Sequence, residues 1–259
     1  ALKVTAEKVD LKVFDCVVEK NDHQIYISKE GVSLGNVRAV DKNSSIKMFR
    51  YDVIIQTDIT KLLYFWTRPD SIQKANEHLV EHKFLEFVTE ANSAPLPYAV
   101  SYIFERYSFP LMASREMVFA DTVVPLKYSA ERNQFDQYIR VRKTVEHPDC
   151  PRPKGLMALK RVRANAFNCI TIDRKSDGFT RFSIVFIMDF RGFIKNEFLA
   201  KIFKKNAAEI HENSTKAIRD AQKSPSYGTR PINTDGLLEG INYNIKKYFP
   251  QEIADKISL

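Results

Sequence analysis

Residues 46–57 read Ile-Lys-Met-Phe-Arg-Tyr-Asp-Val-Ile-Ile-Gln-Thr, with β-branched and aromatic residues in near alternation, the two-residue period of a half-buried strand. The same period recurs from 82 to 190 and predicts strands near 83–91, 98–107, 114–125, 134–145, 157–172 and 179–189. Turn residues separate them: Pro95, Pro97, Pro110, Pro148, Pro151, Pro153 and Asp177-Gly178. Upstream, 12–19 and 23–29 form a predicted hairpin around Asn21-Asp22. Asp58 is placed to cap a helix through Phe65. Arg68-Pro69-Asp70-Ser71 breaks that helix and opens a second one to about Glu81. At 194 the period changes. Residues 194–221 contain no Pro and no Gly, apart from the junction itself, and at about 100° per residue Leu199, Ile202, Phe203, Asn206, Ile210, Asn213, Ser214 and Ala217 share one face. Lys201, Lys204, Lys205, Glu212 and Lys216 fall largely outside it.

Hairpin, strand, two helices, six strands and a long helix make an α+β plan, a curved antiparallel sheet wrapped around a long C-terminal helix. After it, Ser224-Pro-Ser-Tyr-Gly-Thr-Arg-Pro231 reads as a linker. Leu237, Leu238, Ile241, Ile245, Tyr248 and Phe249 then follow helical spacing, with Thr234 or Asp235 as the cap. The expected division is a domain over 1–221 and an extension over 222–259. The extension either packs back on the body or docks on a membrane or a partner.

Composition narrows the function classes. Hydrophobic residues are 44% of 259, enough for a sizeable core, and 18 Phe and 11 Tyr against one Trp point to an aromatic-lined interior. With 8 Gly there is no GxGxxG or Walker pattern to cradle phosphates. The net charge of +8 favours an acidic partner, either nucleic acid or an anionic membrane. Lys and Arg are scattered without a run of five, so no nucleic-acid partner is expected. Cys16, Cys150 and Cys169 are too widely spaced for a CxxC site or a disulfide framework and suit a reducing, cytoplasmic setting. No apolar stretch reaches the length of a membrane span, and no secretory signal is read.

Four short stretches carry more specific information: Ala113-Ser-Arg-Glu-Met-Val118, Thr144-Val-Glu-His-Pro-Asp149, Val162-Arg-Ala164 with Cys169-Ile-Thr-Ile172, and Asp189-Phe-Arg-Gly-Phe-Ile194 at the start of the long helix. In this order they resemble the START (StAR-related lipid transfer) family, over roughly Val13 to Ala221. The resemblance implies a helix-grip fold with a lipid in an internal tunnel between the concave sheet and the last helix. It also implies that Arg115 fixes a strand entry and that Arg142 occupies the place of a cavity-facing polar residue. There are departures. The usual Trp-Asp of the second helix is Ala75-Asn76, the Trp and Pro of the helix entry are Phe193 and Lys195, and a cavity Arg of some members is Asp121.

The expected lipid-binding residues are Ile103, Glu105, Phe119, Asp121, Arg142 and Phe186 on strands, and Leu199, Ile202, Phe203, Asn206, Ile210 and Asn213 on the helix. Alternation puts Arg140, Arg142 and Thr144 on one face. A buried Arg142 requires a counter-charge from Asp121, Glu105 or a lipid phosphate, whereas on an outer face Arg140 and Arg142 simply meet water. His78-Leu-Val-Glu-His82 has the H-x-x-E-H form, which on a helix places two His on one side for zinc; a third ligand is missing, and a structural role is preferred. Ser114 has no His partner for nucleophilic work, and His147 is read as part of a turn. The leading expectation is a monomeric, non-enzymatic carrier without cofactor. It holds one lipid, phospholipid-like rather than sterol, and touches anionic membranes transiently. The alternative is a regulatory lipid sensor acting through the extension. An enzyme of the wider fold or a nucleic-acid binder ranks below both.

Overall fold

The computed structural model describes residues 14–20, 23–29, 45–67, 78–88, 96–106, 113–191, 237–255 and 257. It also describes 196, 198, 201, 202, 205, 215, 216, 218–220, 222, 223 and 227. Ten strands form one sheet: β1 (Phe14–Lys20), β2 (His23–Ser28), β3 (Met48–Gln56), β4 (Leu79–Val88), β5 (Tyr98–Glu105), β6 (Ser114–Ser129), β7 (Gln134–Thr144), β8 (Arg161–Arg163), β9 (Asn165–Ser176) and β10 (Phe179–Asp189). The order is β1-β2-β3-β10-β9-β7-β6-β5-β4, all antiparallel neighbours, with the short β8 added in parallel to the start of β6. The described helices are α1 (Ile59–Thr67), α2 (Leu156–Lys160), α3 (Leu237–Tyr248) and α4 (Gln251–Ala254).

Why these residues take these forms is plain locally. On β3, buried Val53 and Ile55 alternate with exposed Ile54, so one face is inside and one outside. Asp58 Oδ1 accepts from Thr60 N at 2.8 Å and caps α1, whose Leu62, Leu63 and Phe65 are buried. Asp177-Gly178 turns β9 into β10 with Gly178 at φ 75°, a left-handed position suited to glycine. Pro125 sits inside the long β6, where a missing N–H is normally costly. Pairing of β6 with β5 ends at Asp121, and beyond it β6 pairs only with β7, so the imide nitrogen falls on an open edge.

The inner face of the sheet carries the main core. Val53, Ile170, Ile172, Phe182 and Tyr138 pack there with α1. Helix α3 joins the same cluster through Ile241 and Ile245, and Asn244 Nδ2 donates to the Val123 carbonyl at 2.9 Å. Gly240 allows the close approach of α3 to Phe87, since a Cβ there would lie 3.3 Å from the ring. A second cluster on the outer side of β5 and β6 joins Val100, Tyr102, Phe104 and Val118 with Val145 and Cys150 of the segment after β7. There the buried pair Arg163–Glu116 closes at 2.8 Å, and Arg163 Nη2 also donates to the Cys150 carbonyl at 2.8 Å.

Two expectations need correction. The second predicted helix cannot reach Glu81, because Leu79–Val88 is a strand paired with β5; tertiary pairing overrides a run that also has helical spacing. The rest of that predicted helix, 71–77, lies outside the described residues. The single strand predicted over 157–172 is instead α2, β8 and the first part of β9. Gly155, at φ 57° and ψ −137°, turns the chain into α2 in a conformation that only glycine adopts readily. Among the described residues strand β4 ends the sheet, and its ladder to β5 is interrupted by register shifts at Leu79/Glu81 and at Phe84/Glu86.

The fully buried Ile241 ties α3 to the sheet. Ile241→Ala is expected to lower unfolding free energy by about 2–5 kcal/mol, against less than about 0.5 kcal/mol for exposed Lys246→Ala. Urea titrations of both variants check this.

Candidate functional site

Register across the inner face lines up the residues of interest in rows. Antiparallel pairing aligns Phe49, Phe186, Asn168, Arg142, Asp121 and Ala99 across six strands. One step toward α1 and α3, the row is Tyr51, Ile184, Ile170, Arg140 and Val123. One step the other way, Phe119 pairs with Thr144, whose hydroxyl donates to the Ala166 carbonyl at 3.3 Å. A charged belt therefore crosses an otherwise apolar surface. On one side lies the core around α1. On the other lies a smaller cluster of Leu79, Ile103, Met117, Phe119, Ala164 and Ala166, with Trp66 and Met188 against it.

The belt is organised by one carboxylate. Arg140 Nε donates to both Asp121 oxygens at 3.0 and 3.1 Å, and its Nη2 donates to Oδ2 at 2.5 Å. Arg140 Nη1 donates to the carbonyl of Trp66, which fixes the end of α1 to the sheet. Arg142 Nε also lies 2.9 Å from Asp121 Oδ2. That contact is one of charge rather than alignment. Arg142 Nε and Nη2 have no hydrogen-bond partner among the described residues, although the residue is only 8% exposed. Its guanidinium carbon sits 4.3 Å from the centre of the Phe119 ring, a cation–π placement. Burial pushes the Arg142 pKa down to about 10, opposed by Asp121, reinforced by Arg140 and opposed again by Glu105. It remains a cation at neutral pH. The alternative left open by alternation, that Arg140 and Arg142 meet water, does not hold: both are buried.

Two further groups meet this belt. His82 on β4 pairs across from Ile103, and burial, then Arg142 and Arg140, hold its pKa down to about 4, so its ring is neutral. Its Nδ1 and the indole Nε1 of Trp66 are buried without partners among the described residues. The H-x-x-E-H reading loses its premise, because His82 lies on a strand and His78 in a turn rather than on one helix. Among the described residues no group of three His, Cys, Asp or Glu is placed to hold a metal ion.

At the far end of the inner face, buried Arg115 reaches the junction between β10 and the following helical residues. Its Nε donates to the Phe190 carbonyl at 2.6 Å and its Nη2 to the Arg191 carbonyl at 3.0 Å; Nη1 takes the carbonyl of Ala113. Arg191 has left-handed backbone at φ 50°, and Asn196 Nδ2 donates to Asp189 Oδ1 at 3.1 Å. Asn196, Phe198, Lys201, Ile202, Lys205, Thr215, Lys216, Ile218 and Gln222 are helical. Ile218 is buried in the main core, and Tyr51 Oη and Thr215 Oγ1 lie 3.2 Å apart.

A search of solved structures shows what this architecture is. Human STARD10 superimposes with a TM-score of 0.63 at 14% identity, over 81% of this chain and 74% of that one. Human StAR-related lipid transfer protein 5 gives 0.62 at 16%, over 83% and 90%. A STAR-related lipid transfer protein from Xanthomonas axonopodis gives 0.54 at 13%, over 82% and 99%. The chain has the START fold. It is the helix-grip arrangement that the four sequence stretches implied. No protein-family profile and no curated protein matches the sequence.

Within the START fold, Ile103, Glu105, Phe119, Asp121 and Arg142 are buried on β5, β6 and β7. Phe186 is half-buried and stacks on Phe49 with centroids 4.9 Å apart. Ile202 is helical and half-buried. Leu199, Phe203, Asn206, Ile210 and Asn213 lie outside the described residues. Sequence reasoning missed Trp66 and His82. The signal for Trp66 was its place at the end of an apolar helix as the lone Trp; that for His82 was obscured by the helical reading of its segment.

Two outcomes are expected. Asp121→Asn leaves two buried guanidiniums without their shared charge and lowers stability by about 3–5 kcal/mol, read by urea unfolding. His82 is harder to protonate folded than unfolded, with a pKa of about 4 against 6.5. Its contribution is complete above pH 6.5, declines as pH falls and is lost by about pH 4. Unfolding free energy of His82→Leu, followed across that window, should therefore depend less steeply on pH than that of the wild type.

Proposed function

We propose that this chain binds one lipid between the inner face of its sheet and the helical residues that follow β10, and carries it between membranes. The START fold supports a lipid ligand, since its solved neighbours are named as lipid transfer proteins. The observation that carries the finer reading is a set of buried polar atoms beside an apolar cluster that lack a hydrogen-bond partner among the described residues: Arg142 Nη2, Trp66 Nε1 and His82 Nδ1. Buried donors are normally paired, and each unpaired one costs about 1–3 kcal/mol. A phosphate-bearing headgroup satisfies them, with charge-assisted bonds from Arg142. The two acyl chains then run over Ile103, Phe119, Phe186 and Ile202, with Leu199, Phe203 and Ile210 added as contacts on the strength of their helical spacing in the sequence. Asn206 and Asn213 belong to the same helical face in the sequence pattern and are the proposed contacts for polar lipid atoms. Glu105 and Asp121 balance the arginines, so the site accepts an anion without carrying a large excess of positive charge.

The energetics require such an enclosure. A two-chain lipid hides about 30 methylene groups at about 0.8 kcal/mol each, about 25 kcal/mol against water. An interior as apolar as a bilayer makes extraction close to thermoneutral, and the barrier becomes opening the cover. Lys201, Lys205 and Lys216 are helical and exposed, and they favour an anionic membrane during that step. The reading includes no chemical step.

Mass spectrometry of lipid carried by the natively purified protein is the direct test, with one two-chain phospholipid per chain expected. Arg142→Leu should weaken phosphate-bearing lipids relative to neutral ones by about 1.5–3 kcal/mol. Unchanged selectivity removes Arg142 from the site, and a protein that neither carries nor transfers lipid removes the proposal.

A further inference from the structure

The segment between β7 and β9 carries a short tip with two exposed apolar side chains. On α2, Leu156 is 81% exposed and Met157 48% exposed, adjacent large apolar side chains turned to water. Residues 151–163 contain Arg152, Lys154, Lys160, Arg161 and Arg163 and not one acid. Arg163 is buried on Glu116, and Arg152 is paired with Glu146 at 2.9 Å. Arg161 lies over the Phe104 ring at 4.6 Å, while Lys154 and Lys160 are exposed on either side of the tip. The nearest acid in sequence that is not so neutralised is the exposed Asp149.

The base of this finger is rigid. Arg163 Nη2 donates to the Cys150 carbonyl, the backbones of His147 and Cys150 pair in an isolated antiparallel β-bridge, and β8 pairs with Ser114–Glu116 of β6. The same three residues of β6 include Arg115, which grips the carbonyls of Phe190 and Arg191 just after β10. The finger is thus fixed to the end of the sheet at which β10 finishes.

We propose that Leu156 and Met157 insert into an anionic bilayer, with Lys154 and Lys160 on its headgroups, so that the end of the sheet carrying the helix junction faces the membrane. Charge complementarity selects this occupant: an apolar pair ringed by cations fits the boundary between acyl chains and anionic headgroups, with the basic side chains reaching out of the apolar layer. The proposal rests on the lipid-carrier reading for its purpose but not for its test.

The experiment is cosedimentation of the full chain with vesicles of phosphatidylcholine, alone or mixed with phosphatidylserine. The wild type should bind the mixed vesicles more strongly. Leu156→Ser combined with Met157→Ser should lower partitioning onto mixed vesicles by about tenfold or more. Lys154→Gln with Lys160→Gln should lower it by about tenfold and flatten the dependence on phosphatidylserine. Thermal midpoint and co-purifying lipid should be unchanged in both. Leu156→Trp gives a direct reading, because its emission should shift to the blue on mixed vesicles beyond any change from Trp66 in the wild type. A serine double variant that partitions like the wild type, a Leu156→Trp spectrum that does not move, or a wild type that ignores mixed vesicles would each overturn the finger. Lipid found in the purified protein would leave the carrier reading standing in those cases. Conversely, a finger-dependent vesicle signal from a protein that carries no lipid would sink the carrier reading and keep the finger.

Discussion

The carboxylate of Asp121 shared between Arg140 and Arg142 is the constraint around which the inner face is arranged. Two guanidiniums on alternate residues of one strand point into the same low-dielectric space, and without an acid between them neither could stay ionised there at tolerable cost. Arg140 takes nearly all of the hydrogen-bonding capacity of Asp121 and gives its remaining bond to the end of α1. Arg142 receives charge compensation but few bonds. One carboxylate thus creates two unlike arginines, the first a structural brace between sheet and helix, the second a cation held in place with donors to spare.

The outer face solves a different problem with the same chemistry. Arg163 and Glu116 lie on strands that run parallel, and their pair brings the carbonyls of Cys150 and Pro151 under control as well. The side chain of Tyr102 adds a hydroxyl to Glu116 at 3.3 Å, and the phenol is held up to a pKa of about 12, by burial first and then by the carboxylate. Arg115 works between the two faces by gripping main-chain carbonyls. Carbonyls cannot be protonated, so this clamp on the β10 junction keeps its strength over the whole range in which carboxylates and histidines titrate.

Much of this was legible in the sequence where one physical signal dominated. Strand β10 was bounded at both ends because Asp177-Gly178 and the Asp189 junction punctuate a clean two-residue period. The capping of α1 by Asp58 followed from one acid before an apolar run. Alternation put Arg140 and Arg142 on a common face, but alternation cannot say which face is inside, and that choice depends on Asp121 arriving from another strand. The failures have the same origin. Leu79–Val88 carries spacing compatible with helix or strand, and only its pairing with β5 decides between them. The interruption at α2 depends on a single glycine with positive φ inside a run that otherwise reads as one strand. Trp66, whose carbonyl accepts from Arg140, and His82, whose charge Arg142 and Arg140 oppose, reach the belt from segments far apart in the chain, which no local period records.

The two register shifts in β4 have a consequence for what this protein avoids. An outermost strand with a regular row of N–H and C=O groups is a template on which another extended chain can zip. Here the row is broken twice within ten residues, and Glu81, Lys83 and Glu86 stand exposed along it. Each bulge adds local twist and leaves groups out of step with any incoming strand. Among the described residues, this end of a wide sheet rich in Phe, Tyr and Ile is thereby a poor template for sideways growth.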